Sequence, residues 1–198
     1  MFMTRSLVML LLCFSVSSVM AQGALELVKT TADSVLAKVV ANRAALDKDP
    51  SGIYALVSDE LIGHFDFAKM TRTAMGKYWR RASDAQKLAI QEQFRALLVR
   101  TYGSALLNYS GQNIQYLPLR EHDEARVTVQ TRVSETASGP DIPVDYRLAL
   151  TDGDWKVYDV VIDGVSLVSN YRSSFSGQIR RDGIDGLIES LKANNRGQ

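Results

Sequence analysis

Ile142-Pro143-Val144-Asp145-Tyr146-Arg147-Leu148-Ala149-Leu150-Thr151-Asp152-Gly153-Asp154-Trp155-Lys156-Val157-Tyr158-Asp159-Val160-Val161-Ile162 is the stretch on which the fold turns. Ile142, Val144, Tyr146, Leu148 and Leu150 alternate with Pro143, Asp145 and Arg147, the period of a strand with one buried face. Thr151-Asp152-Gly153-Asp154 follows, and an Asp-Gly pair between two such runs tolerates the positive φ of a tight hairpin turn. The chain then resumes as a strand over Trp155-Lys156-Val157-Tyr158-Asp159-Val160-Val161-Ile162. Just upstream, Val127, Val129, Thr131 and Val133 alternate with Arg126, Thr128, Gln130 and Arg132. Three consecutive strands of this kind predict an antiparallel meander.

On either side the period changes to that of a helix. Leu25, Val28, Val35, Leu36, Val39 and Val40 recur at helical spacing over residues 24–46, and Asp49-Pro50-Ser51-Gly52 stops the pattern. A shorter helix is predicted over 53–62. His64-Phe65-Asp66-Phe67 reads as a turn into a helix carrying Met70, Ala74, Met75 and Trp79. Ser83-Asp84-Ala85-Gln86 has capping-box spacing, with the Ser83 hydroxyl and the Gln86 side chain satisfying free backbone amides. The helix it starts is expected to present Leu88, Phe94, Leu97, Leu98, Tyr102, Ala105 and Leu106 until Gly111 ends the region. After the meander, Asp163-Gly164 is expected to turn the chain and cap a helix over 165–179, with a last short helix over 184–191. Helices followed by a meander predict one α+β domain whose helices cover one face of a curved antiparallel sheet. A sheet curved under helices tends to leave a cone-shaped space where a ligand would sit.

The N-terminus has the features of an export signal. Arg5 precedes the apolar run Leu7-Val8-Met9-Leu10-Leu11-Leu12-Cys13-Phe14, and Val19-Met20-Ala21 offers a small-residue cleavage site. The run falls short of the ~20 residues a spanning helix needs. Cleavage after Ala21 is expected, leaving an exported single domain over 22–198. Cys13 leaves with the signal, so disulfides, thiol nucleophiles and Cys-ligated metals are excluded from the mature chain. Loss of Arg5 also leaves 22 basic against 22 acidic side chains. That balance argues against nucleic acid, which requires a basic footprint, and against polybasic adsorption to anionic lipid.

No catalytic constellation emerges. His64 and His122 are the only histidines, they stand in unlike contexts, and neither a nucleophile elbow nor a phosphate loop is present. Two separated histidines define no metal site. Asp159 and Asp163 at the end of the last strand form a carboxylate pair, open to acid–base work or, for Asp163, to capping. The unusual feature is apolar supply from both halves. Phe94, Leu98 and Tyr102 can face Val129, Tyr146, Leu148 and Val161, together with Val165, Leu167, Val168, Tyr171 and Phe175. Periodicity alone does not separate ordinary core from the lining of a cavity.

Two stretches carry a resemblance. His64-Phe65-Asp66-Phe67-Ala68-Lys69-Met70-Thr71-Arg72 onward to Trp79, with residues 86–106, resembles the first half of the MlaC family, also called the toluene-tolerance auxiliary family. Asp154-Trp155-Lys156-Val157-Tyr158-Asp159-Val160-Val161-Ile162-Asp163-Gly164-Val165-Ser166-Leu167-Val168-Ser169-Asn170-Tyr171-Arg172 onward to Phe175 is similar to its second signature. Met75-Gly76 departs from the expected Leu-Gly by a nearly volume-conserving change. The resemblance implies a nuclear-transport-factor-like sheet with an apolar lipid cavity between sheet and helices. It implies a periplasmic phospholipid carrier, without catalytic residue, metal or cofactor, that maintains outer-membrane lipid asymmetry. The implied partners are an outer-membrane lipoprotein–porin complex and an inner-membrane ABC transporter complex. On that reading Met70, Phe94, Leu98, Tyr102, Val129, Val144, Tyr146, Leu148, Val161, Val165, Val168, Tyr171 and Phe175 line the cavity, and Arg72, Arg80, Arg81 and Arg172 are candidates for its rim or for docking. The alternatives are a small enzyme using Asp159 as a pocket carboxylate, and an adaptor with a filled core and no ligand.

Overall fold

The structure, a computed structural model, describes residues 14–134 and 140–196. Arg5 and the apolar run as far as Cys13 lie outside the described residues. Helix α1 (Phe14–Ala41) continues through α2 (Arg43–Leu46) and doubles back as α3 (Gly52–Leu61). Val35, Val39, Leu46, Ile53, Val57 and Val99 close this corner, while Val40 is exposed. Ser34 and Lys38 of α1 both hold Glu60 of α3. Asp66 caps α4 (Phe67–Met75), its Oδ1 accepting from the Lys69 amide at 2.8 Å. A 3-10 segment, Gly76–Arg81, leads to α5 (Asp84–Gly103).

The capping box is formed: the Gln86 amide donates to Ser83 Oγ at 3.2 Å and the Ser83 amide to Gln86 Oε1 at 3.0 Å. The expected face of α5 needs two corrections: the helix ends at Gly103, so Ala105 and Leu106 fall in a 3-10 segment, Ser104–Asn108, with Ala105 exposed. Ile90, Phe94 and Leu98, spaced by four, are buried, whereas Leu88 is 69% exposed. Two residues from Ile90 is about 200° around a helix, so Leu88 points away from that row.

Among the described residues six strands form one antiparallel sheet: β1 (Asn113–Tyr116), β2 (Arg120–Asp123), β3 (Arg126–Ser134), β4 (Ile142–Thr151), β5 (Asp154–Ile162) and β6 (Val165–Ser166). The order is β1-β3-β4-β5-β6, and β2 also pairs with β3. β1, β2 and β6 are too short to show alternation in the sequence. Asp152 (φ 53°) and Gly153 (φ 89°) make the expected hairpin turn. Asp163 (φ 49°) and Gly164 (φ 78°) make a second one, joining β5 to β6. Asp163 is therefore not the helix cap. Helix α6 (Leu167–Arg196) is capped instead by Ser166 Oγ, which accepts from the Ser169 amide at 3.1 Å, and by Asp159 Oδ1, which accepts from the Val168 amide at 3.2 Å. Gly183 (φ 73°) breaks α6 into two segments.

Strand β5 carries a bulge. Arg147 pairs with Asp159 but the next residue, Leu148, pairs with Val157, so Tyr158 is extra. One consequence is a junction of several elements at Asp159, which is 4% exposed. Its carboxylate accepts from Arg147 Nη1 at 2.9 Å, Ser166 Oγ at 2.7 Å and the Val168 amide. Replacing Asp159 by Ala removes a cap and charge-assisted bonds, and should lower stability by roughly 2–4 kcal/mol in urea denaturation. Arg147→Gln should cost clearly less, because the Arg147 side chain is half exposed and water can take its place.

Candidate functional site

In an antiparallel sheet, directly paired residues share a face, so the register defines the surface that looks toward the helices. Its deepest row is Val127, Leu148 and Val157, and the next is Val129, Tyr146 and Val160. A third row runs Tyr116, Thr131, Val144, Ile162 and Val165, and a fourth Ile114, Val133 and Ile142. Burial of β4, β5 and β6 falls along this series. Leu148 is 0% exposed, Tyr146, Val144 and Ile162 are half-buried, and Val165 and Ile142 are 56% and 51% exposed. The face is sealed toward the β4–β5 hairpin and open at the end where β4 begins and β6 lies.

Over the deep rows sits α1, whose Ala24 and Val28 join Val127, Val129, Leu148, Val157, Val160 and Leu167 in one cluster. A second cluster lies among the helices, where Met70, Phe94, Leu98, Val168 and Phe175 are packed together. The Phe94 ring meets Tyr171 and Phe175 edge-on at 5.0 and 5.1 Å. Phe65 and Tyr102 pack against both clusters and mark the seam between them. Phe65 is held there by a parallel bridge to Val157: the Val157 amide donates to the His64 carbonyl, and the Asp66 amide to the Val157 carbonyl, each at 2.9 Å.

The positions expected to line one surface are thus divided. Val129, Val144, Tyr146 and Leu148 occupy the sheet face, and Tyr102 the seam. Met70, Phe94, Leu98, Val168, Tyr171 and Phe175 belong to the helical cluster and do not face the strands as expected. Val161 is displaced by the bulge: it pairs with Asp145 and Ser166 on the opposite face, and Val160 and Ile162 take the inward positions. Val165 has the right face but stands at the open edge, too exposed to line an enclosure. Arg72, Arg80 and Arg172 are all exposed on the helical layer, with the Arg172 guanidinium against the backbone of Gly76. The sequence reading missed Phe65, Tyr116, Val160 and Ile162 as members of this region. Val160 and Ile162 follow from alternation only once the bulge is known.

Burial pushes the Tyr146 phenol up to about 12, with the neighbouring Tyr116 adding to it. Tyr102 is likewise pushed up to about 12, by burial first and then by the adjacent Tyr171 phenol. Both shifts report an environment that penalises charge. Asp159 and its partner Arg147 lie on the outer face, away from the inward rows. Among the described residues no three His, Cys, Asp or Glu side chains are grouped to hold a metal ion. An open cleft of about 430 Å³ lies elsewhere, against α1, α2 and α3, where Lys38, Asp49, Asp59 and Glu60 stand beside Ala45, Leu46 and Leu56.

The family model for the MlaC protein matches residues 29–193, which takes in every strand of this face. The chain belongs to the MlaC family. It is 31% identical over 182 residues to the toluene tolerance protein ttg2D of Pseudomonas putida, covering 91% of this chain and 84% of that one. It is 26% identical over 170 residues to the intermembrane phospholipid transport system binding protein MlaC of Haemophilus influenzae, covering 84% and 79%. Among solved structures it matches, with TM-score 0.80, the phospholipid-binding protein from Ralstonia solanacearum in complex with a phospholipid. That match is 34% identical and covers 88% of this chain and 97% of the other. Helices over one face of an open, curved antiparallel sheet are thus an architecture this MlaC member shares with a solved relative.

The raised phenols make a pH prediction for it. Unfolded, Tyr102 and Tyr146 ionise near the ordinary 10.0; folded, they hold their protons to about 12. Their contribution to stability is therefore intact below pH 10.0 and lost as the pH rises toward about 12. Thermal denaturation followed across that interval should show a fall in Tm that is visibly shallower in Tyr146→Phe.

Proposed function

We propose that this protein is a periplasmic phospholipid carrier. It would be exported by a signal cleaved after Ala21, leaving the domain over 22–198, and would shuttle lipid between the outer-membrane lipoprotein–porin complex and the inner-membrane ABC transporter complex of its pathway. The observation that carries the reading is the sheet face: largely apolar, half-buried under helices, and open at the end occupied by Ile142 and Val165. The relatives add support, since the Haemophilus protein is a phospholipid transport system binding protein and the Ralstonia protein holds a phospholipid.

In this reading the acyl chains enter at the open end and part the sheet from the helical cluster along the seam at Phe65 and Tyr102, forming the lipid cavity there. Each buried CH₂ is worth ~0.8 kcal/mol, so two chains with about thirty such groups bring on the order of 24 kcal/mol. Net affinities saturate at ~18–21 kcal/mol, so opening the seam offsets part of that gain. Spontaneous release into water is negligible either way. Transfer therefore needs a docked partner that offers the chains a second apolar environment, and direction would come from the partner ATPase.

A docking surface of suitable character is the α4 ridge. Lys69, Arg72, Lys77, Arg80 and Arg81 fall within residues 67–83, a segment with no acidic residue. In an otherwise balanced chain that ridge would orient the carrier on an acidic partner. Arg72 and Arg80 are assigned to docking on that basis, with Arg172 beside them at Gly76. Against the enzyme alternative stands the place of its candidate base: Asp159 lies on the outer face, bonded to Arg147, Ser166 and the α6 backbone.

Native mass spectrometry of the mature protein purified without detergent, followed by lipid extraction, tests the carrier. Phospholipid at fixed stoichiometry is expected, and a ligand-free chain would overturn the reading in favour of an adaptor. Val144→Glu puts a charge on the half-buried third row, and should strip the lipid while leaving the circular dichroism spectrum intact.

A further inference from the structure

The inner face contains a hydroxyl group that the fold itself does not use. Tyr146 stands between Val129 and Val160 in the second row, its ring packed against the sheet cluster. Among the described residues its hydroxyl has no hydrogen-bond partner, although the residue keeps some accessible surface. Tyr102, at the seam, packs against the same cluster, and its phenol neighbours that of Tyr171. By contrast, the Thr131 hydroxyl on this face is satisfied, donating to the Val144 carbonyl at 2.6 Å. The Tyr146 hydroxyl is not among the fully buried unpaired atoms, so water reaches it in the lipid-free protein, and a lipid that displaces that water from an apolar face must supply an acceptor in its place.

The chemistry of that acceptor is constrained. The burial that raises both phenols also penalises an anion, so a phosphate is a poor match and a neutral carbonyl oxygen a good one. Position agrees with this. Tyr146 lies two residues beyond Val144 along β4, about 7 Å farther in than the half-buried third row. In a diacyl lipid whose headgroup stays in water at the open end, the ester carbonyls are the acceptors that come before the hydrocarbon begins.

We propose that Tyr146, assisted by Tyr102, forms an ester-recognition subsite, its hydroxyl donating to an acyl-ester carbonyl of the bound lipid. The subsite rests on the carrier reading and adds to it a selectivity: lipids whose chains are joined by ester bonds are preferred over ether-linked lipids of the same headgroup and chain length. It also sets the depth of insertion, because the carbonyls stop where the phenols are.

The test loads delipidated mature protein from vesicles containing equal amounts of diester and diether phosphatidylethanolamine with identical chains, and reads the bound ratio by mass spectrometry after extraction. The wild type should favour the diester by roughly five- to tenfold, the ratio that one or two neutral hydrogen bonds supply. Tyr146→Phe, which keeps ring and packing, should bring the ratio close to one with total lipid uptake retained, and Tyr102→Phe should lower it part of the way. If Tyr146→Phe keeps the wild-type ratio, or if the wild type takes both lipids equally, the subsite is overturned while the carrier reading stands. If the wild type takes up neither lipid, the carrier reading itself fails and the subsite with it.

Discussion

A carboxylate removed from water must be supplied with hydrogen bonds or it destabilises the fold around it. Asp159 meets that requirement by collecting donors from β4, β6 and the first turn of α6. The bulge at Tyr158 makes this possible, since without the extra residue Asp159 would point toward the helices and away from Arg147. The placement of α6 follows from that junction. Because the Val168 amide is held at Asp159, the next turns carry Tyr171 and Phe175 onto Phe94 and close the helical cluster. The inward side of β5, the position of α6 and the separation of two apolar clusters thus depend on one local irregularity in a strand.

That separation suits the domain to carrying something apolar. A single interdigitated core would have to be disrupted to admit a chain, and cores are packed too densely to yield without cost. Here the helical cluster and the sheet cluster are each internally packed and are joined through Phe65 and Tyr102. A guest entering along the seam, as proposed, would exchange contacts at few side chains and leave both clusters whole. Backbone bonds at Val157, in the deepest row, tie the start of α4 to the sheet near the sealed end, while α6 leaves the sheet from β6 toward the other.

Charge is divided in a similar way. The near balance of acidic and basic residues over the chain conceals a strongly basic segment on α4 and the turn after it. Some of its cations lie over aromatic rings, Lys69 at 4.5 Å from the Tyr158 centroid and Lys77 at 5.3 Å from that of Tyr78, which positions them without neutralising them. A chain with almost no net charge can still present an oriented field.

The sequence by itself determined the elements whose signals are local. Period-two alternation located β3 and β4, Asp152-Gly153 the hairpin that leads into β5, the Ser83 and Gln86 pair the start of α5, and two long stretches of resemblance the family. These rest on residues close together in the chain, where propensity and spacing act directly. Only the tertiary structure decided which residues share a face. One extra residue at Tyr158 reverses the inward side of β5, moving Asp159 and Val161 out and Val160 and Ile162 in, and alternation has no means of announcing it. Asp163 is the same lesson at a helix terminus. Beside α6 in the chain it had the position of a cap, but the cap came from Asp159 and Ser166, because the hairpin at Asp163-Gly164 folds those two residues together at the first turn of the helix.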